Sequence, residues 1–88
     1  MKTVMFYFVT PDGLSIAMDY IEEHRARLKE FHAMGVLLMA GPFVNPVDGA
    51  LGIFTTREAA EEFVKGDPFV INGVVSNWKL MEWNEVLF

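Results

Sequence analysis

The segment that follows Met1 is apolar on both of its faces. Residues 2–10 are mostly β-branched and aromatic, which is typical of a β-strand. In a strand, successive side chains point to opposite sides of the sheet. One side of this strand would carry Val4, Phe6 and Phe8, and the other Met5, Tyr7 and Val9. A strand of this kind must be covered on both sides, so we predict a central strand in a sheet with two buried faces.

Residues 15–33 predict an amphipathic helix of about five turns. Ser15 is a suitable N-cap and Gly35 a suitable C′ residue for this helix. His24 lies in the middle of the apolar stripe, where the pattern favours Leu or Ile. An unpartnered imidazole there would cost roughly 1–3 kcal/mol. We therefore expect that another segment supplies a polar partner or that the position opens onto a cavity. The apolar stripe consists of Ala17, Tyr20, Ile21, Leu28 and Phe31.

The remaining patterns complete a β-α-β-β-α-β order. Strands are predicted over residues 36–40, 50–55 and 75–86, the first two joined as an antiparallel hairpin by the turn formers of residues 45–49. Thr55 and Glu58 fit a capping box that opens a second helix, which ends at Gly66. Residues 69–74 predict an irregular or single-turn piece. The whole chain, residues 1–88, is thus one α+β domain of ferredoxin-like βαββαβ topology, a four-stranded antiparallel sheet with two helices on one face.

This topology leaves one face of the sheet without a cover. The first, second and fourth strands are apolar on both faces, and hydrophobic residues make up 52% of the chain. The simplest cover is the same face of a second copy, which predicts a two-fold homodimer through the open sheet face.

Composition argues against several other classes of protein. A net charge of −5 disfavours a nucleic-acid backbone or an anionic membrane as partner, and no apolar run reaches the roughly 18–20 residues of a membrane span. The chain has no cysteine, hence no disulfide, thiol nucleophile or thiolate ligand. We expect no signal peptide at the start of the chain and a cytoplasmic location. His24 and His32 are too far apart in sequence for an i, i+4 metal site, so we expect no metal and no cofactor.

Asp67 has two interpretations. It lies between Gly66 and Pro68, where an aspartate commonly caps local N–H groups in a turn. Alternatively it orients His24 and stabilises the charge of its imidazolium form, as carboxylates paired with imidazoles do. The sequence pattern alone leaves both interpretations open.

The chain resembles the YCII-related (YciI-like) family, small proteins of the dimeric α+β barrel superfamily. The resemblance rests on His24-x-x-x-Leu28, the glycine-led second strand from Gly35, Gly41-Pro42, Asp67-Pro68-Phe69-Val70 with Gly73, and a last strand containing Trp78 and Trp83. It implies a His–Asp pair, His24 and Asp67, in a pocket between helix and sheet. One kind of family member is a dehydrochlorinase of chlorinated aromatics. The family often has arginine three residues before the histidine, where this chain has Ile21.

The leading hypothesis is a cofactor-independent lyase or isomerase that acts on a small cyclic or aromatic molecule. His24 would be the general acid and base, and Asp67 would fix its tautomer. Two alternatives stay open: a non-catalytic module that binds a small ligand or regulates, and a structural dimerisation domain in which the pair is a satisfied polar contact. The further residues expected to bind the ligand are Gly41, Pro42, Phe43, Phe69, Ser76 and Trp78.

Overall fold

The structure, a computed structural model, describes residues 1–88 and contains four strands and four helices. All strand pairs are antiparallel, in the order β2-β3-β1-β4. The predicted topology is confirmed, including the β2–β3 hairpin and the central position of β1. In chain order the elements are β1 (Lys2–Phe8), α1 (Pro11–Ile16), a 3-10 turn (Ala17–Asp19), α2 (Ile21–Ala33), β2 (Leu37–Pro42), β3 (Gly49–Phe54), α3 (Arg57–Gly66), α4 (Pro68–Ile71) and β4 (Asn77–Trp83).

The single helix predicted for residues 15–33 is wrong at its beginning. Helix α1 starts earlier, because Thr10 is its N-cap and accepts a hydrogen bond from the Gly13 amide at 3.3 Å, with Pro11 at the first helical position. A 3-10 turn then separates α1 from α2. Ser15 is not an N-cap; its hydroxyl donates to the Asp12 carbonyl at 2.6 Å inside α1. At the other end, Gly35 has φ +79°, the left-handed conformation expected after a helix.

The N-cap of α3 is Thr56 and not Thr55 as predicted. The Thr56 hydroxyl accepts from the Ala59 amide at 3.1 Å. The backbone of Thr55 is held at the end of the sheet, because its amide donates to the Val36 carbonyl at 2.9 Å. The predicted last strand is also too long, since the Val75 amide donates to the Phe69 carbonyl and leaves β4 to begin at Asn77.

The hydrophobic core lies between the helices and one face of the sheet. Met5 and Tyr7 of β1 are buried there against Phe31 of α2 and Phe63 of α3, with Phe54 of β3 completely enclosed. The longest helix, α2, has 13 residues, and none of the helices has the length and apolar character needed to span a membrane.

The other face of the sheet is apolar and uncovered within the chain. It carries a groove of about 410 Å³ lined by Val4, Phe6, Phe43, Leu51, Ile53, Met81, Glu82 and Trp83. The prediction that β1 is apolar on both sides is therefore confirmed, but the chain itself covers only one side.

Candidate functional site

Asp67 lies at the junction between two helices. It follows the last residue of α3 and is the N-cap of α4, where its Oδ1 accepts from the Phe69 amide at 3.1 Å. Pro68 cannot continue α3 and starts α4 with a preset backbone angle. The side chain is completely buried, with 0% exposure. A carboxylate in such a position needs hydrogen-bond donors on both oxygens, and the neighbouring elements supply them.

His24 approaches Asp67 from α2. The distance between His24 Nδ1 and Asp67 Oδ1 is 2.7 Å, and the His24 side chain is only 13% exposed. An ionised carboxylate can only accept, so the proton between them belongs to Nδ1 and the neutral ring keeps its lone pair on Nε2. Nε2 forms no hydrogen bond within the chain. Every buried side-chain nitrogen or oxygen of the chain does form one, so Nε2 is not a buried atom. Nε2 therefore reaches the surface.

Tyr7 is the third polar member of this cluster, and it is not among the site residues predicted from the sequence. Its hydroxyl donates to Asp67 Oδ2 at 2.7 Å from the buried face of β1. Burial raises the pKa of the Tyr7 phenol, and the negative charge of Asp67 and the hydrogen bond to it raise that pKa further. Tyr7 therefore stays a hydrogen-bond donor. A tyrosine pointing into the core needs a partner for its hydroxyl, and that was the available signal.

Two phenylalanine rings surround the imidazole. Phe69 of α4 stacks on His24 with ring centroids 3.8 Å apart and planes inclined by 2°. Phe63 of α3 meets the same ring edge-on, at 6.4 Å and 70°. These contacts and the bond to Asp67 restrict the rotation of the His24 ring, so Nε2 points in a defined direction.

The hydrogen bonds and ring contacts of His24 and Asp67 involve Tyr7, Phe63 and Phe69, and none of the other predicted ligand-binding residues. The Ser76 hydroxyl donates to the Phe8 carbonyl at 2.9 Å. Trp78 lines a different groove, of about 620 Å³, together with Val70, Leu80 and residues of α3. Phe43 lies in the groove on the open face, and Gly41 and Pro42 pair with β3 at the edge of the sheet.

No group of three or more histidine, cysteine, aspartate or glutamate side chains in the chain could hold a metal ion. His32 is engaged locally, where its Nδ1 donates to the Leu37 carbonyl at 2.8 Å beyond the end of α2.

The sequence matches the YCII-related domain over residues 1–84. The chain belongs to the YCII-related family. Its fold is similar to that of 5-chloro-2-hydroxyhydroquinone dehydrochlorinase (TftG) from Burkholderia phenoliruptrix AC1100, solved in complex with 2,5-dihydroxybenzoquinone. The TM-score is 0.78 at 20% sequence identity, covering 96% of this chain and 94% of that one.

A second solved structure, Rv0793 from Mycobacterium tuberculosis, is similar over 98% of this chain and 97% of its own, with TM-score 0.53 and 13% identity. A search of curated proteins finds no match. At these identities the two structures establish the shared fold of this YCII-related chain.

Proposed function

We propose that this YCII-related protein is a lyase or isomerase that uses His24 as general acid and base, without a cofactor, on a small cyclic or aromatic molecule. The observation that carries the proposal is the 2.7 Å contact between His24 Nδ1 and Asp67 Oδ1, formed by a completely buried carboxylate. A buried carboxylate that holds Nδ1–H leaves Nε2 as a base of fixed direction. The hydroxyl of Tyr7 on the second oxygen keeps the carboxylate from turning away.

The chemistry available to this arrangement is proton transfer. Nε2 would take a proton from a carbon or hydroxyl group of the substrate, and the resulting imidazolium would be stabilised by the negative charge of Asp67. In an elimination, the electron pair left by the proton forms the new double bond while the leaving group departs as an anion. In an isomerisation, His24 returns the proton to a different atom.

The substrate class is supported by the fold relative and by the aromatic rings around the imidazole. TftG is a dehydrochlorinase solved with a hydroxylated quinone, and the present chain has a similar fold. Phe69 lies flat against His24, and flat apolar surfaces suit planar rings. Where the family often has an arginine, this chain has Ile21. We therefore propose a ring substrate with fewer anionic groups.

The test is a comparison of turnover between wild type and His24→Gln on a panel of chlorinated hydroxyhydroquinones, measured as chloride release. Loss of a general base lowers the rate by typically 10²- to 10⁴-fold. His32→Gln is the matched control, because it removes an imidazole engaged elsewhere and should keep turnover. Equal turnover in wild type and His24→Gln would refute the assignment of His24. Absence of chloride release by wild type would refute this substrate class.

We also propose that the open sheet face packs against a second copy. Its support is the apolar groove on a face that the chain leaves exposed, with Trp83 46% and Met81 47% accessible. Sedimentation of the wild type should give a dimer. Met81→Glu should give a monomer, because it would bury charges between the two sheets. Met18→Glu changes an equally apolar residue, 77% exposed in the 3-10 turn on the helix side, and should stay dimeric. A monomeric wild type at micromolar concentration would contradict the proposal.

A further inference from the structure

Arg27 lies one helical turn after His24 on α2 and contacts the same helix junction. Its Nε donates to the Phe63 carbonyl at 3.1 Å, and its Nη2 donates to the Glu62 carbonyl at 2.7 Å. Both carbonyls belong to the last turns of α3, just before Asp67. Helix α2 therefore reaches the end of α3 through the guanidinium of Arg27 and reaches Asp67 through the imidazole of His24.

The carbonyl of Phe63 needs this donor. In a continuing helix it would accept from the amide of Asp67, but that amide donates to the Val64 carbonyl at 3.4 Å, because the chain turns at Pro68. Arg27 supplies the missing donor, and its positive charge lies at the end of α3 where the helix dipole is negative. The guanidinium thus caps the last turn of α3, which Asp67 directly follows.

Gly66 provides the space that this cap requires. A Cβ added at Gly66 would lie 2.5 Å from Arg27 Nη2 and 2.6 Å from its Cζ. Across from Gly66, the guanidinium lies over the rings of Phe31 and Phe63, 4.8 and 5.6 Å from their centroids. Residue 66 immediately precedes Asp67, so the fit of the guanidinium and the position of the carboxylate are joined by one peptide unit.

We propose that Arg27 is a positioning residue that fixes Asp67 relative to His24, and that Gly66 leaves the space that the guanidinium occupies. Its consequence for turnover rests on the proposed function; its consequence for the hydrogen bond between His24 and Asp67 does not. The assignment also means that Arg27 does not replace the arginine that the family often has at the position of Ile21. Its donors are directed at backbone carbonyls and not at a substrate.

The primary test compares Arg27→Gln with Arg25→Gln, which removes the same charge from an exposed position of the same helix. The direct readout is the low-field proton resonance of the hydrogen-bonded Nδ1–H of His24, in protein shown to be folded by circular dichroism. Arg27→Gln should move this resonance upfield or broaden it, and should lower kcat about 10- to 100-fold with a smaller change in KM, because misplacing a catalytic group mainly affects the rate. Arg25→Gln should leave both unchanged. Arg27→Lys should recover only part, because an ammonium lacks the planar fork.

Gly66→Ala fills the space beside the guanidinium without removing the arginine. It should reproduce the resonance change of Arg27→Gln, and the double variant should show no further change, because both substitutions act through one contact. If the His24 resonance is the same in Arg27→Gln, Gly66→Ala and wild type, the positioning role is refuted. If Arg27→Gln does not fold, Gly66→Ala and Arg27→Lys decide the question by the same resonance. If the His24 resonance shifts in Arg27→Gln but the wild type turns over no substrate, the proposed function is refuted and the positioning role stands.

Discussion

Removal of the Tyr7 hydroxyl tests how far the buried carboxylate depends on its donors. The side chain of Asp67 is 0% exposed, and its Oδ2 accepts the 2.7 Å hydrogen bond from Tyr7. Tyr7→Phe removes that hydrogen bond and leaves Oδ2 without a donor. A hydrogen bond to a charged group contributes about 1.5–3 kcal/mol, and an unsatisfied buried acceptor costs a similar amount. We expect the free energy of unfolding to fall by about 2 kcal/mol at neutral pH, within that range.

The same substitution has a defined pH dependence. The pKa of Tyr7 in the folded protein is raised above its ordinary value of 10.0 by burial and by Asp67. The stability that Tyr7 contributes is therefore fully present below about pH 10. Above that pH the unfolded chain releases the phenolic proton and the folded chain does not, so stability falls by about 1.4 kcal/mol per pH unit. Tyr7→Phe lacks this slope. The stability difference between wild type and variant should thus shrink by about 1.4 kcal/mol at about pH 11.

The assay is urea unfolding of both proteins at several pH values and at one fixed protomer concentration, since dimerisation would make stability depend on concentration. Tyr20→Phe is the matched control, because it removes a phenol without a side-chain hydrogen bond in the structure. A stability difference between wild type and Tyr7→Phe that is the same at neutral pH and at about pH 11 would refute the reasoning. So would a neutral-pH loss no larger than that of Tyr20→Phe.

Two further predictions concern the fold. Thr56→Ala should lower the free energy of unfolding by about 1 kcal/mol through loss of the α3 N-cap. Thr55→Ala, one residue earlier, should cost less than half of that, and a chemical denaturation experiment that gives the reverse order would place the cap at Thr55. Phe63→Ala should lower the free energy of unfolding by about 3–5 kcal/mol, because the ring is completely buried and packs against Phe31 of α2 and Phe54 of β3. A loss below about 1 kcal/mol in the same denaturation experiment would contradict that packing.

The order of strands and helices was predictable because the patterns that specify it are local. The two-sided apolar pattern of β1 and the apolar face of α3 are readable from neighbouring residues. The beginning of α2 was not predictable in this way. A helical wheel continues through residues 15–20, but Thr10 and Pro11 begin a separate helix whose Gly13 lies against the Val74 carbonyl, where a Cβ would come within 2.2 Å. That contact joins residues distant in sequence.

For the site, the sequence identified His24 as an imidazole in an apolar stripe that required either a partner or a cavity. It left two interpretations of Asp67 open, and the structure shows both contacts at once, since one carboxylate accepts from the Phe69 amide and from His24. Arg27 gave no such signal, because an arginine on a helix is an ordinary residue. Tyr7 gave only the general signal that a buried hydroxyl needs a partner, which does not say where that partner lies. Periodicity determined which face each side chain occupies. Only tertiary packing, which brings β1, α2 and the junction of α3 and α4 within hydrogen-bonding distance, decided which polar groups meet.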